Sequence, residues 1–184
     1  MSEPAKPYML RVFTDGQGKF GDAASVVIDE GRHISDSERQ GMAHELNTGE
    51  TIFINNIASA NISVIHPQGE IDFAGVGVLA VACLLTKLRD KPTEHILGRG
   101  GEITTWQDGN ITWVRASLET MPHWQYKQLE TAGDVGQIQL EETTSLQHTM
   151  VWAWIEEAKG SIRARTFASD WDIPEAQKVM ARER

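Results

Sequence analysis

The chain has 184 residues, 40% hydrophobic, 23% charged and 7% aromatic, the composition of a folded domain rather than a disordered or fibrous chain. At this length folding buries roughly 70% of the extended chain's surface, enough for a core without disulfide or metal staples. Lys plus Arg number 17 against 26 Asp plus Glu, and a net charge of -9 repels phosphate backbones and anionic lipid. Neither nucleic acid nor a membrane is therefore an expected partner. The single cysteine, Cys83, excludes an internal disulfide and fits a reducing, cytoplasmic setting. The opening MSEPAKPYML carries no long apolar run, so no signal peptide is expected.

In chain order, Met9 to Thr14 and Ala24 to Ile28 read as short strands separated by a Gly-rich turn, Asp15 to Gly21. Ser35-Asp36-Ser37-Glu38 has capping-box spacing and opens a helix running to about Asn47, which Gly49 ends. Thr51 to Asn56 is a β-branched strand, and Asn61 to His66 with Glu70 to Phe73 forms a hairpin around Pro67-Gln68-Gly69. Gly75 to Leu85, followed by Thr86, Lys87, Leu88 and Arg89, is the one long apolar stretch, too short for the roughly 20 residues of a bilayer span. Being apolar on every side, it predicts a helix enclosed in a core, with Ala80, Val81, Cys83 and Leu84 buried. Lys87 and Arg89 suit the negative end of its dipole.

Glu102 to Trp106 and Ile111 to Arg115 form a hairpin about Asp108-Gly109. Thr149 to Ile155 and Ser161 to Phe167 read as two further strands, and Pro174 to Arg184 as a charged helix with Pro in its first turn. Many hairpins around one apolar helix imply an α+β fold, an antiparallel or mixed sheet curled about that helix. The polar, turn-rich stretch from Pro122 to Gly136 marks a boundary between residues 1–120 and a second lobe, 121–184.

Few residues suggest chemistry by spacing alone. Six histidines are scattered without ligand spacing, and His44-Glu45 lacks the second histidine of a zinc helix, so no metal site is expected. No serine sits in a nucleophile elbow, and Cys83 lies mid-helix in apolar company, as an inert packing thiol does. Gly75-Val76-Gly77-Val78-Leu79-Ala80 matches a relaxed dinucleotide fingerprint, but antiparallel strands precede it where a βαβ unit would be required. What remains is a Gly-flanked helix N-terminus, whose free N–H groups suit an anion such as a carboxylate. Glu50 falls between a helix stop and a buried strand, where shielding from water raises a carboxyl's proton affinity. It serves either proton transfer or the satisfaction of loop N–H groups.

Three stretches carry a resemblance. Glu45-Leu46-Asn47-Thr48-Gly49-Glu50-Thr51-Ile52-Phe53 resembles the ELNLSETVF segment of the PhzF (phenazine biosynthesis) family, which has a diaminopimelate-epimerase-like fold. Val12-Phe13-Thr14-Asp15 with Gly21-Asp22-Ala23-Ala24-Ser25-Val26-Val27 is similar to its VFTD…GNPLAVV opening, and Gly69-Glu70-Ile71-Asp72-Phe73-Ala74-Gly75-Val76-Gly77 to its GxELPFAGHPT motif. Arg165-Thr166-Phe167-Ala168 and Ile173-Pro174-Glu175 are more loosely similar to the approach to its last motif.

The resemblance implies two halves, each a sheet wrapped round a helix, and a cofactor-free isomerisation by proton transfer on a small carboxylated substrate. It assigns the acid/base to Glu50, with Asp72, Gly75, Val76 and Gly77 on the substrate-binding side. The family's histidine after FAG is Val76 here, the serine before the acid is Gly49, and the stretch after Glu175 lacks the DPATGSA motif. The second lobe is accordingly expected to be reduced, with apolar residues such as Trp152, Trp154 and Ile155 covered in a homodimer. The alternative is a catalytically lapsed relative that binds a small carboxylate or acts as an oligomeric module.

Overall fold

The computed structural model describes residues 6–14, 17–19, 21–117, 119, 123–139, 148–168 and 173–176. The chain divides into two compact units, residues 1–121 and 122–184.

The first unit opens with β1 (Tyr8–Val12) and β2 (Asp22–Ile28), then α1 (Asp36–Leu46). Ser35 and Glu38 form the expected capping box, and Asn47 ends α1 in the left-handed conformation. There follow β3 (Thr51–Asn56), β4 (Asn61–His66), β5 (Gly69–Ile71), α2 (Gly75–Arg89), β6 (His95–Gly98), β7 (Gly101–Asp108) and β8 (Ile111–Arg115). The strands form one mixed sheet in the order β1-β2-β3-β4-β6-β7-β8, with β5 paired to β4. β2 and β3 are parallel, whereas β3 and β4 are antiparallel. α2 packs against β1 and β8, the two ends of that order, as well as β2 and β3. A flat sheet could not touch one helix from both edges, so this one curls around α2.

Side-chain alternation sorts the sheet into two faces. Ala24, Val26, Ile52, Ile54, Ile62 and Val64 pack on the α2 side in one core, with Val78, Val81 and Leu85. Val27, Phe53 and Ile65 face the other way, against Ala43 of α1. Asp29 and Arg39 form a buried ion pair, with the Arg39 guanidinium 4.7 Å over the Phe53 ring. Ala80, Val81 and Leu84 are buried as predicted. Cys83 is not: it is partly exposed, and its Sγ donates to the Thr112 hydroxyl of β8 at 3.3 Å, the angle of the helix turning this position toward the sheet edge.

The second unit contains β9 (Gln125–Gln128), α3 (Ala132–Gln137), β10 (Thr149–Glu156), β11 (Ser161–Ala168) and β12 (Ile173–Ala176), its sheet ordered β12-β11-β10-β9. α3 covers one face through Val135, which packs on Val151, Ala153 and Phe167. The Arg165 guanidinium donates to the carbonyls of Val135, Gly136 and Ile138, at 3.2, 3.5 and 2.7 Å, and so closes the C-terminal end of α3. Trp152 and Trp154 are partly buried, their rings edge to face at 5.1 Å, and Ile155 is 61% exposed. Pro174 to Ala176, expected to open a helix, is extended instead, because β12 pairs antiparallel with β11. The rest of that expected helix, residues 177–184, lies outside the described residues. Among the described residues no helix is long and apolar enough to cross a membrane.

Candidate active site

α2 is oriented by contacts at its two ends. A Cβ on Gly77, in its first turn, would fall 2.5 Å from Ile52 Cδ1, near the start of β3. At the other end the Arg89 guanidinium donates to the carbonyl of Ile57, just beyond the end of β3. The helix therefore runs along β3 in the same direction, and its N-terminus stands at the end of the sheet where β3 begins. Val78 N–H makes the first intrahelical bond, to the Ala74 carbonyl, and no side chain caps the helix. The N–H groups of Gly75, Val76 and Gly77 precede that bond and carry the positive end of the dipole.

Glu50 stands at this same end. It precedes β3, and alternation from Ile52 and Ile54 places it on the α2 side. The loop that delivers it is fixed by the Thr48 hydroxyl, which donates to the Glu50 carbonyl at 3.0 Å and shares a 2.7 Å hydrogen bond with Ser25. Gly49 has φ +81°, a conformation costly for any residue with a Cβ, which explains glycine where the resembling family carries serine. Burial, reinforced by the charge of Asp22, pushes Glu50 up to about 7, against which only its own backbone N–H acts. At neutral pH both the protonated and the ionised forms are populated, the condition for a group that both takes and returns a proton.

Asp22, the first residue of β2, lies on the α2 face two residues before Ala24, and burial raises its proton affinity too. It is set there by Gly21, whose Cβ would fall 2.2 Å from the Val12 carbonyl oxygen, at φ +76°. His66 ends β4 and is 7% exposed. Thr51 pairs with Ile65, so Glu50 and His66 occupy the next facing positions, and alternation from Ile62 and Val64 puts His66 on the α2 face as well. Neither Asp22 nor His66 was singled out from the sequence. The signal for both is strand register: each is two residues from an apolar residue of the α2 core.

The structure thus brings Glu50 to the end of the sheet where Gly75, Val76 and Gly77 start α2. Asp72 lies three residues before the helix, half-exposed, its carboxylate held by Arg99 Nε at 2.5 Å. Among the described residues no group of three or more His, Cys, Asp or Glu side chains is arranged to hold a metal ion.

A model of the PhzC-PhzF family, phenazine biosynthesis-like protein, matches residues 10–163. The chain belongs to this family. A PhzF-family phenazine biosynthesis protein of Enterococcus faecalis has a similar structure, with a TM-score of 0.73 at 18% identity. The match covers 92% of this chain and 75% of that one. The corresponding Bacillus anthracis protein gives a TM-score of 0.71 at 15% identity, covering 97% of this chain and 76% of that chain. A Pseudomonas aeruginosa protein described as a predicted epimerase gives 0.58 at 19% identity, over 93% and 76% of the two chains. These likenesses establish the fold.

Proposed function

We propose that the protein is a cofactor-independent isomerase that moves a proton on a small carboxylated metabolite, with Glu50 as acid/base. The observation that carries this is a partly buried carboxyl titrating near 7 at the end of the sheet where an uncapped helix begins. A substrate carboxylate on the N–H groups of Gly75, Val76 and Gly77 would bring its neighbouring C–H bond to Glu50. Glu50 takes that proton and returns it at another position, so no group need be consumed and no electrons leave. Asp72, tied to Arg99 beside the helix start, borders the same anion site.

The test is proton exchange in deuterated solvent with small β,γ-unsaturated carboxylates, vinylacetate first. Removing one acid/base costs about 10² to 10⁴ in rate, so Glu50→Gln should lose exchange while still binding crotonate. Equal exchange in variant and parent overturns the reading. A second reading, a lapsed relative that only binds carboxylates, is favoured by Val76, which puts a hydrocarbon where the family motif has histidine. Crotonate binding without exchange in the parent would establish it.

A further inference from the structure

Asp22, at the first position of β2, is an ionisable group that the reading above leaves without a task. We propose that Asp22 is the proton relay of Glu50, passing protons between the Glu50 carboxyl and solvent while a substrate covers the site. It acts through Glu50 and not on the substrate. The proposal rests on the isomerase reading.

Three observations carry it. The first is position. Asp22 pairs with Val12 of β1, a residue of the α2 core, so both take the α2 face. On its other side β2 runs parallel to β3, and the Ser25–Thr51 pair sets Ala24 beside Glu50. Asp22 is two residues from Ala24 on the same face, which puts its Cα about 8 Å from that of Glu50. Two acidic side chains bridge that distance directly or through one water. The second is fixation of both carriers. The Arg11 guanidinium donates to the Gly21 carbonyl at 3.2 Å, next to Asp22, and the Thr48–Ser25 hydroxyl pair ties the loop that carries Glu50 to β2 itself.

The third is chemistry. The resembling GNP opening has asparagine at this position, which carries no exchangeable carboxyl proton, whereas this chain has a carboxyl. One ionisable group is lost at Val76 and another gained at Asp22. Asp22 is partly exposed, as a group that hands protons to water must be. Burial raises its proton affinity, which narrows the gap to Glu50, itself lifted by burial and then by the charge of Asp22. A proton passes most readily between groups of similar affinity. Of the other groups near this end of the sheet, His66 lies beyond Glu50 on β4, Asp72 is held by Arg99, and the first turn of α2 carries no acid.

The relay consumes no reagent. The C–H bond next to the substrate carboxylate breaks, its proton passes to Glu50, and the electron pair moves toward the carboxylate as an enediolate. Glu50 hands the proton to the Asp22 carboxylate, and Asp22 gives it to water. A solvent proton returns by the same route, and Glu50 forms the new C–H bond with the returning pair. Without the relay Glu50 can return only the proton it took.

The experiment follows vinylacetate turning into crotonate in deuterated solvent, with the full chain, and reads by NMR whether the product methyl carries solvent deuterium or the substrate's own protium. The parent should deliver deuterium. Asp22→Asn, the residue of the resembling motif, should lower the ratio of solvent-derived to substrate-derived hydrogen by about 10², and Asp22→Glu should restore most of it. A variant that merely disturbs packing slows product formation and leaves this ratio alone. A parent product that keeps the substrate's protium, or a ratio unchanged in Asp22→Asn, overturns the relay and spares the isomerase reading. Exchange absent from the parent, or equal in Glu50→Gln, overturns the isomerase reading and the relay with it.

Discussion

Gly77 and Ile52 are in such close approach that one methyl group on the glycine would fall 2.5 Å from Ile52 Cδ1 and 2.6 Å from Cγ1. Ile52 is fully buried, so it has no solvent to swing into. The contact sets how near the N-terminus of α2 comes to the start of β3, and hence to Glu50. Gly77→Ala should cost about 1 to 3 kcal/mol by overpacking and weaken crotonate binding by shifting the first turn. Gly41, in α1, has nothing within 4 Å of its added Cβ. Gly41→Ala should instead stabilise by about 0.5 to 1 kcal/mol through helix propensity. Thermal unfolding of the two variants checks the contrast.

Glu50 makes stability fall as pH rises. Its folded-state value of about 7 lies above the ordinary 4.5, so the unfolded chain ionises first. The contribution is fully present below 4.5 and is lost as pH climbs through 7. The shift corresponds to about 3 kcal/mol. Glu50→Gln cannot ionise, and should be more stable than the parent at mildly alkaline pH while matching it in acid. Urea unfolding at the two conditions measures this, and an equal difference at both would contradict it.

Asp29 has the opposite sign. Burial by itself would raise its proton affinity, but the hydrogen bond from Arg39, those from the Ile34 and His33 N–H groups, and the charge of Arg39 bring it below 3.8. Its stabilisation is present above 3.8 and disappears as pH falls through the folded-state value. Asp29→Asn leaves the Arg39 guanidinium buried without a counter-charge and should cost about 3 to 5 kcal/mol at neutral pH. A urea midpoint unchanged from the parent would count against the pair.

Arg165 should hold the second unit's helix in place. Arg165→Met keeps the apolar stem but abandons the carbonyls of Val135, Gly136 and Ile138. A loss of about 2 to 3 kcal/mol is expected, from buried acceptors left unpaired. Hydrogen exchange should show α3 opening earlier than in the parent while α2 keeps its protection.

What the sequence determined by itself is what local chemistry settles. The Ser35–Glu38 box, the β-branched run Thr51 to Asn56 and the apolar run Gly75 to Leu85 each announce their own structure, because their signals are local in the chain. The family resemblance likewise placed Glu50 before its strand. Tertiary structure decided the rest. β9 is short, and what makes it a strand is its parallel pairing with β10, more than twenty residues further along the chain. Residues Ile173 to Ala176 begin with helix-friendly chemistry but are drawn into a strand by β11. The same distinction governs the site. That Glu50 is an acid is written in the chain, but its neighbours Asp22 and His66 come from β2 and β4, and only strand register says which face each side chain takes. A shift of one residue would turn either of them away from α2, since alternation reverses with every residue.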